Sequence, residues 1–256
     1  MMKKIKKVKV RSLQIKAINL FAAFFVSVSC FSQIPVLNEY TSPLPKVVTP
    51  GRISPDGVVP APSDALSLFN GNELSEWIGS KGEPEWTIHD GMFTVVEKTG
   101  DLNTKREFGD FQLHIEWMHP SDITGEGQMR GNSGIFLHGL YELQVLETFN
   151  NNNKTYVNGQ AGAIYKQHSP LVNPLRPPGD WNAYDVIFTA PTFNTDGTYR
   201  TNPRVTIMLN GILIQNNAVI YGATRDDMVV AKTRGGIQLQ DHGCKVNYRN
   251  IWIRDL

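Results

Sequence analysis

Between residues 130 and 147 the chain gathers side chains that can move protons or hold an oxyanion. Tyr141-Glu-Leu-Gln-Val-Leu-Glu147 carries two carboxylates, Glu142 and Glu147, spaced E-x-Q-x-x-E around Gln144. In an extended strand Leu143 and Val145 point to one face and Glu142 and Gln144 to the other, which sets the amide beside the acid. Glu147 is out of phase with Glu142; a β-bulge near Val145-Leu146, by inserting one residue, returns it to the polar face. Arg130, in Arg130-Gly-Asn-Ser-Gly134, offers a guanidinium suited to a sugar oxygen or an oxyanion, and Asn132 caps the turn beside it. His138, His242 in Asp241-His-Gly243, and Lys166 after Gly162-Ala-Ile-Tyr165 add titratable groups. Trp181-Asn182 suits a sugar site, since aromatic faces stack on pyranose C–H surfaces. Gln238 and Gln240 share one face of Ile237-Gln-Leu-Gln240.

Strands must position these groups. From Leu66 onward, short apolar or alternating runs are separated by turn signals, and no amphipathic helical period of useful length appears. Met92–Glu97, Phe111–Trp117, Gly134–His138, Tyr141–Leu146, Asp185–Thr189, Val205–Leu209, Ile212–Gln215, Ile237–Gln240 and Val246–Ile253 read as strands. Asn210-Gly211 is the hairpin signal between two of them. The pattern predicts an all-β fold, a two-sheet sandwich over residues 65–256, because a parallel α/β fold would need crossover helices that are missing.

Upstream, the composition changes twice. Seven bases (Lys3, Lys4, Lys6, Lys7, Lys9, Arg11, Lys16) precede the apolar run Ala17–Ser29, which is too short to span a bilayer as a helix. That reads as a secretory signal peptide over residues 1–32, with a periplasmic or secreted destination. Ser27-Val-Ser-Cys30 also resembles a lipoprotein cleavage box, which would make a lipid anchor at Cys30 the only membrane attachment. Residues 33–64 hold seven of the fifteen prolines and read as a spacer or a strap lying across the domain. Without the seven leader bases, 18 Lys and Arg face 24 Asp and Glu, a net charge of −6, which lacks the electrostatic footprint of a nucleic-acid binder. No His-x-His, His-Glu-x-x-His, Cys-x-x-Cys, glycine-rich phosphate loop or Gly-x-Ser-x-Gly occurs. No cofactor is therefore expected, although a calcium ion held by loop oxygens would leave no spacing to read.

Nine motifs in order resemble one family. They are Leu68-Phe-Asn-Gly-Asn-Glu-Leu74 with Trp77, Trp86-Thr-Ile-His-Asp-Gly91, Phe108-Gly-Asp-Phe-Gln-Leu113 with Glu116-Trp117, Gly131-Asn-Ser-Gly-Ile135, Tyr141–Glu147, Gly162-Ala-Ile-Tyr165, Gly179-Asp-Trp-Asn182, Leu209-Asn-Gly211 and Ile237-Gln-Leu-Gln-Asp-His-Gly243. The chain is similar, over residues 66–256, to the 3-keto-disaccharide hydrolase domain family. The resemblance implies a concanavalin A-like lectin/glucanase jelly roll, export, and a carbohydrate substrate whose C3 hydroxyl has been oxidised to a ketone. Glu147 stands where that family usually has Asp. The segment also resembles the E-x-D-x-x-E of laminarinase-type glucanases, with Gln144 replacing the middle Asp.

A ketone at C3 acidifies the C2 hydrogen, and the leaving oxygen on C1 is β to it, so elimination followed by addition of water gives net hydrolysis. Under that reading Glu142 is the base, Arg130 or Lys166 polarises the ketone, and His138 or Glu147 is the acid. Asn132, Gln144, Trp181, Asn182, Gln238, Gln240 and His242 bind the sugar. The alternatives are a non-catalytic carbohydrate-binding module or lectin on the same sandwich, and a direct β-glucanase.

Overall fold

A computed structural model describes residues 42–47, 59–225 and 230–256. Two antiparallel sheets dominate. The larger runs in the order Ile212–Val219, Arg204–Leu209, Asn182–Thr189, Phe111–Met118, Asn247–Asp255, Met92–Thr94 and Thr87–His89, with Leu66–Phe69 also paired to Asn247–Asp255. The smaller runs Trp77–Gly79, Leu102–Thr104, Gln238–Leu239, Ser133–Leu137 and Tyr141–Val145. The helical turns described are three short 3₁₀ segments, so the chain is the all-β sandwich that its turn-punctuated pattern predicts.

Alternation decides what each face buries. Phe111, Leu113, Ile115 and Trp117 of the large sheet enter one core with Tyr184, Val186 and Phe188; the small sheet meets them with Ile135, Leu137, Leu143, Val145 and Leu239. The period of two then sends Gln112, His114 and Glu116 to the outer face of the large sheet. On the small sheet it sends Gly134, Phe136, Glu142 and Gln144 outward. Asn210 and Gly211 both take positive φ (54° and 78°), the requirement of a type I′ hairpin turn. Several strands stop short of their apolar runs: Met92–Thr94 ends before Val95, and the fourth strand of the predicted series ends at Val145, not Leu146.

Part of the proline-rich stretch is described. Val59 C=O accepts hydrogen bonds from Asn250 Nδ2 at 3.0 Å and Trp252 Nε1 at 3.4 Å, and Asp64 pairs with Arg254. Lys46–Val47 pairs in parallel with Val172–Asn173. The expected leader, its cleavage region and Cys30 lie outside the described residues.

Candidate active site

The site is set by two rows across the small sheet. Gln238 lies opposite Phe136, which lies opposite Glu142. In the neighbouring row Gly134 lies opposite Gln144, and Gln240 N donates to Gly134 C=O at 3.0 Å. Paired residues share a face, so Glu142, Gln144, Gln238 and Gln240 are together on the side away from the core. Beyond the edge strand, residues 162–165 add a further run of chain: Gln144 N donates to Ala163 C=O, Gly162 N to Gln144 C=O, and Tyr165 N to Glu142 C=O at 3.1 Å.

This face is roofed. Gln144 and Phe136 are fully buried, yet Phe136 is no part of the core between the sheets. Arg225 covers it, with the guanidinium carbon 4.8 Å from the ring centroid, and is itself held by Gln238 Oε1 at 3.2 Å and Asp101 at 3.6 Å. Gly134 is glycine for want of room: a Cβ there would meet Glu142 Oε1 and Phe136 Cε2, each at 2.7 Å. The Glu142 carboxyl therefore lies over bare backbone, against an aromatic edge. Burial pushes it up to about 7, while the Arg225 charge pulls the other way. A carboxyl balanced near neutrality can take a proton and give it back.

Around it sit amides with fixed orientations. Gln128 Nε2 donates to the Gly159 carbonyl at 3.0 Å and to Thr155 Oγ1 at 2.7 Å, so its Oε1 must accept; it does so from Gln144 Nε2 at 3.1 Å and Asn132 Nδ2 at 3.3 Å. Asn132 Nδ2 also donates to the Gln128 carbonyl. The carbonyl ends of Asn132, Gln144 and Gln240 are then buried without partners among the described residues, as are His242 Nδ1 and both amide atoms of Gln160. Buried acceptors call for donors.

Other expected participants lie elsewhere. Glu147 follows the end of the strand at Val145, so no bulge brings it round. Its carboxylate is bound by Arg130 Nε and by the backbone N–H of Phe149 at 2.8 Å, while Arg130 Nη1 reaches the carbonyls of Ile123 and Gly125. Glu147 is buried and Arg130 half-buried, and the guanidinium side of the pair lines a cleft of about 680 Å³ together with Gly125, Gly127, Asn153 and Lys154. His138 occupies the turn after Ser133–Leu137 at φ 54°, bonded to the Gly109 carbonyl and packed against Phe111, Tyr141 and Phe188. Burial lowers its pKa and keeps it neutral in that aromatic setting. Asn182 begins a strand of the large sheet and Trp181 immediately precedes it: Arg249 sits 4.1 Å over the Trp181 ring, and Asn182 Oδ1 accepts from Arg176 N and Asn210 Nδ2. Lys166 stays with the site region, its ammonium 3.6 Å above the Tyr156 ring.

Sequence reading missed Arg225, Gln128, Gln160, Tyr156 and Tyr165. For Tyr165 the signal was its motif, Gly162-Ala-Ile-Tyr165; the rest lie in loops without strand periodicity. Among the described residues no group of three or more His, Cys, Asp or Glu is arranged to hold a metal ion.

Comparison with known proteins agrees with the fold. A crystal structure of a candidate glycosyl hydrolase from Parabacteroides distasonis is 54% identical, with a TM-score of 0.75 over 86% of this chain and 95% of that one. A second from the same organism, likewise described as a candidate glycosyl hydrolase, is 22% identical with a TM-score of 0.54, covering 74% of this chain and 92% of its own; it shows the fold alone. No curated protein matches. The family model described as the 3-keto-alpha-glucoside-1,2-lyase-like domain matches residues 64–254, and the chain belongs to that family.

Proposed function

We propose that the protein cleaves glycosides whose C3 carries a ketone, by elimination across C1 and C2 and then hydration. The observation that carries this is the Glu142 carboxyl, buried over Gly134, raised to about 7 and faced by Arg225. Glu142 takes the C2 proton; the electron pair passes into the C1–C2 bond as the C1–O bond breaks, leaving an enone and the aglycone. Arg225 suits the enolate oxygen that develops at C3, a role that Arg130, committed to Glu147, does not fill. The amide side chains of Asn132, Gln144, Gln238 and Gln240 around Glu142 suit the hydroxyls of a carbohydrate, the substrate class that the family match also supports. Export rests on the basic leader and its apolar run.

The test is incubation of the mature domain with a 3-keto-glucoside and its unoxidised parent while free aglycone is followed. The keto compound is cleaved many orders of magnitude faster, because only its C2 hydrogen is acidic; a binding difference of a few hydrogen bonds of about 0.5–1.5 kcal/mol each cannot imitate that gap. Comparable rates on both would point to glucanase chemistry. Binding without turnover of either would point to a lectin.

A further inference from the structure

We propose that Tyr165 protonates the departing glycosidic oxygen, with Tyr156 and Lys166 holding it for that task; this rests on the elimination reading above. Elimination leaves an alkoxide that needs a proton, and neither of the two side chains expected to supply it stands at Glu142. His138 is packed among aromatic rings, and Glu147 is held by Arg130.

Tyr165 stands directly across from Glu142. Leu143 and Ile164 form an antiparallel bridge, Tyr165 N donates to Glu142 C=O at 3.1 Å, and Leu143 and Ile164 both enter the core. Residues 142 and 165 therefore form an opposed pair on the other face, with Cβ atoms about 4.5–5.5 Å apart by antiparallel geometry. The pairing brings the base and the phenol to the same side of the edge strand, and the proton to be removed and the oxygen to be protonated likewise sit on adjacent carbons of one ring.

The phenol is also held in place. Its oxygen lies 2.5 Å from that of Tyr156, and Lys166 Nζ lies 3.6 Å from the centroid of the Tyr156 ring and 5.9 Å from that of Tyr165. Lys166 takes φ 62°, a left-handed conformation costly for a side-chain-bearing residue, and its backbone N–H is tied to the Asn158 carbonyl at 2.9 Å. A cation fixed there stabilises the negative charge that reaches the phenolic oxygen as its proton leaves.

The step balances. Glu142 gains the C2 proton, the C1–O bond breaks, and the Tyr165 proton passes to the leaving oxygen, giving enone, free alcohol, neutral Glu142 and a phenolate. When water takes the aglycone's place, the phenolate removes its proton as the oxygen bonds to C1, and Glu142 returns its proton to C2. Both groups end as they began.

Leaving-group chemistry tests this on the full-length mature protein, with a 3-keto-glucoside bearing a sugar aglycone and another bearing nitrophenol, which departs without protonation. In single-turnover release of the aglycone, which precedes hydration, Tyr165→Phe is expected to slow the sugar aglycone by about 100-fold or more and to spare the nitrophenyl compound. Tyr156→Phe should show a smaller loss with the same dependence on the leaving group. Equal losses on both compounds, or none on either, would overturn the proposal while leaving Glu142 as base intact. Wild-type protein that cleaves neither compound would bring down the elimination reading, and this proposal with it. Thermal midpoints of the two variants report folding separately.

Discussion

A carboxyl enclosed by Phe136 and the Gly134 backbone binds its proton more tightly than one in water, and this has two measurable consequences at Glu142. Activity should rise with pH through about 7, as the base loses its proton. Stability should move the opposite way. The ordinary value of 4.5 is raised in the folded state, so between 4.5 and about 7 the native protein binds more protons than the unfolded chain, and stability falls as pH rises through that window. Glu142→Gln should therefore be inactive yet more stable than the parent at pH 8, by on the order of 3 kcal/mol. The gain should vanish near pH 4.5, and thermal melts at both pH values check it. Gln144 acts differently. Its Nε2 anchors it to Gln128 and its Oε1 has no partner among the described residues, so Gln144→Met keeps the volume but removes one amide from the proposed sugar-binding face. KM should rise about tenfold, matching one hydrogen bond of about 0.5–1.5 kcal/mol, with kcat much less affected. Glu142 and Gln144 were legible because strand alternation pairs them on the polar side. Arg225 was not, since it reaches Phe136 from a loop, and no local period in the sequence says which strand a loop will cover.

Strands with two different faces carry the next level of organisation. Phe111–Met118 puts Phe111, Leu113, Ile115 and Trp117 into the core and His114 and Glu116 onto the outer face of the large sheet. There His114 Nδ1 meets Asp185 at 2.7 Å and Nε2 meets Glu116 at 3.4 Å, Trp252 stacks on the imidazole at 5.2 Å, and Arg249 pairs with Glu116 at 2.6 Å. Burial opposes the charge on His114, but the hydrogen bonds to Asp185 and Glu116 outweigh it and raise the imidazole from 6.5 to about 9. The stability it contributes is complete below 6.5 and is lost as pH rises through about 9, an amount on the order of 3 kcal/mol. His114→Gln should lower stability at neutral pH and flatten the decline between pH 7 and 9.5, leaving the separate decline due to Glu142 at lower pH; denaturant melts across pH resolve the two. The alternation of Phe111–Trp117 showed in the sequence which residues face outward. That they form one ionic network did not show, because it joins strands whose order in the sheet only the long-range pairing sets. The expected bulge at Val145-Leu146 failed for a related reason: Glu147 N bonds to the Arg130 carbonyl and its carboxylate to the Arg130 guanidinium, so a loop contact ends the strand where the local pattern would continue it.

Across the molecule, the two sheets divide the labour. The proposed chemistry lies on the outer face of the small sheet, whereas the outer face of the large sheet is ionic, and the described end of the proline-rich stretch lies against it through Val59 and Asp64. A chain starting at Asp64, where the family match begins, would keep both sheets and the whole core. It would lose the Val59 acceptor for Asn250 and Trp252, and the parallel pairing of Lys46–Val47 with Val172–Asn173. The bond from Asn151 Nδ2 to the Pro45 carbonyl goes too, and with each lost hydrogen bond worth about 0.5–1.5 kcal/mol when water can replace the partner the shortened protein should be less stable by roughly 2–6 kcal/mol. Its kcat on a 3-keto-glucoside should match that of the chain starting at Gln33, because Glu142, Arg225 and Tyr165 belong to the other sheet and the loops over it. Paired denaturant melts and rate measurements on the two lengths decide the matter. If kcat collapses while the melting curve is unmoved, the strap reaches the reacting groups and the separation of the two faces is wrong; if both fall together, residues 33–63 are part of the fold itself.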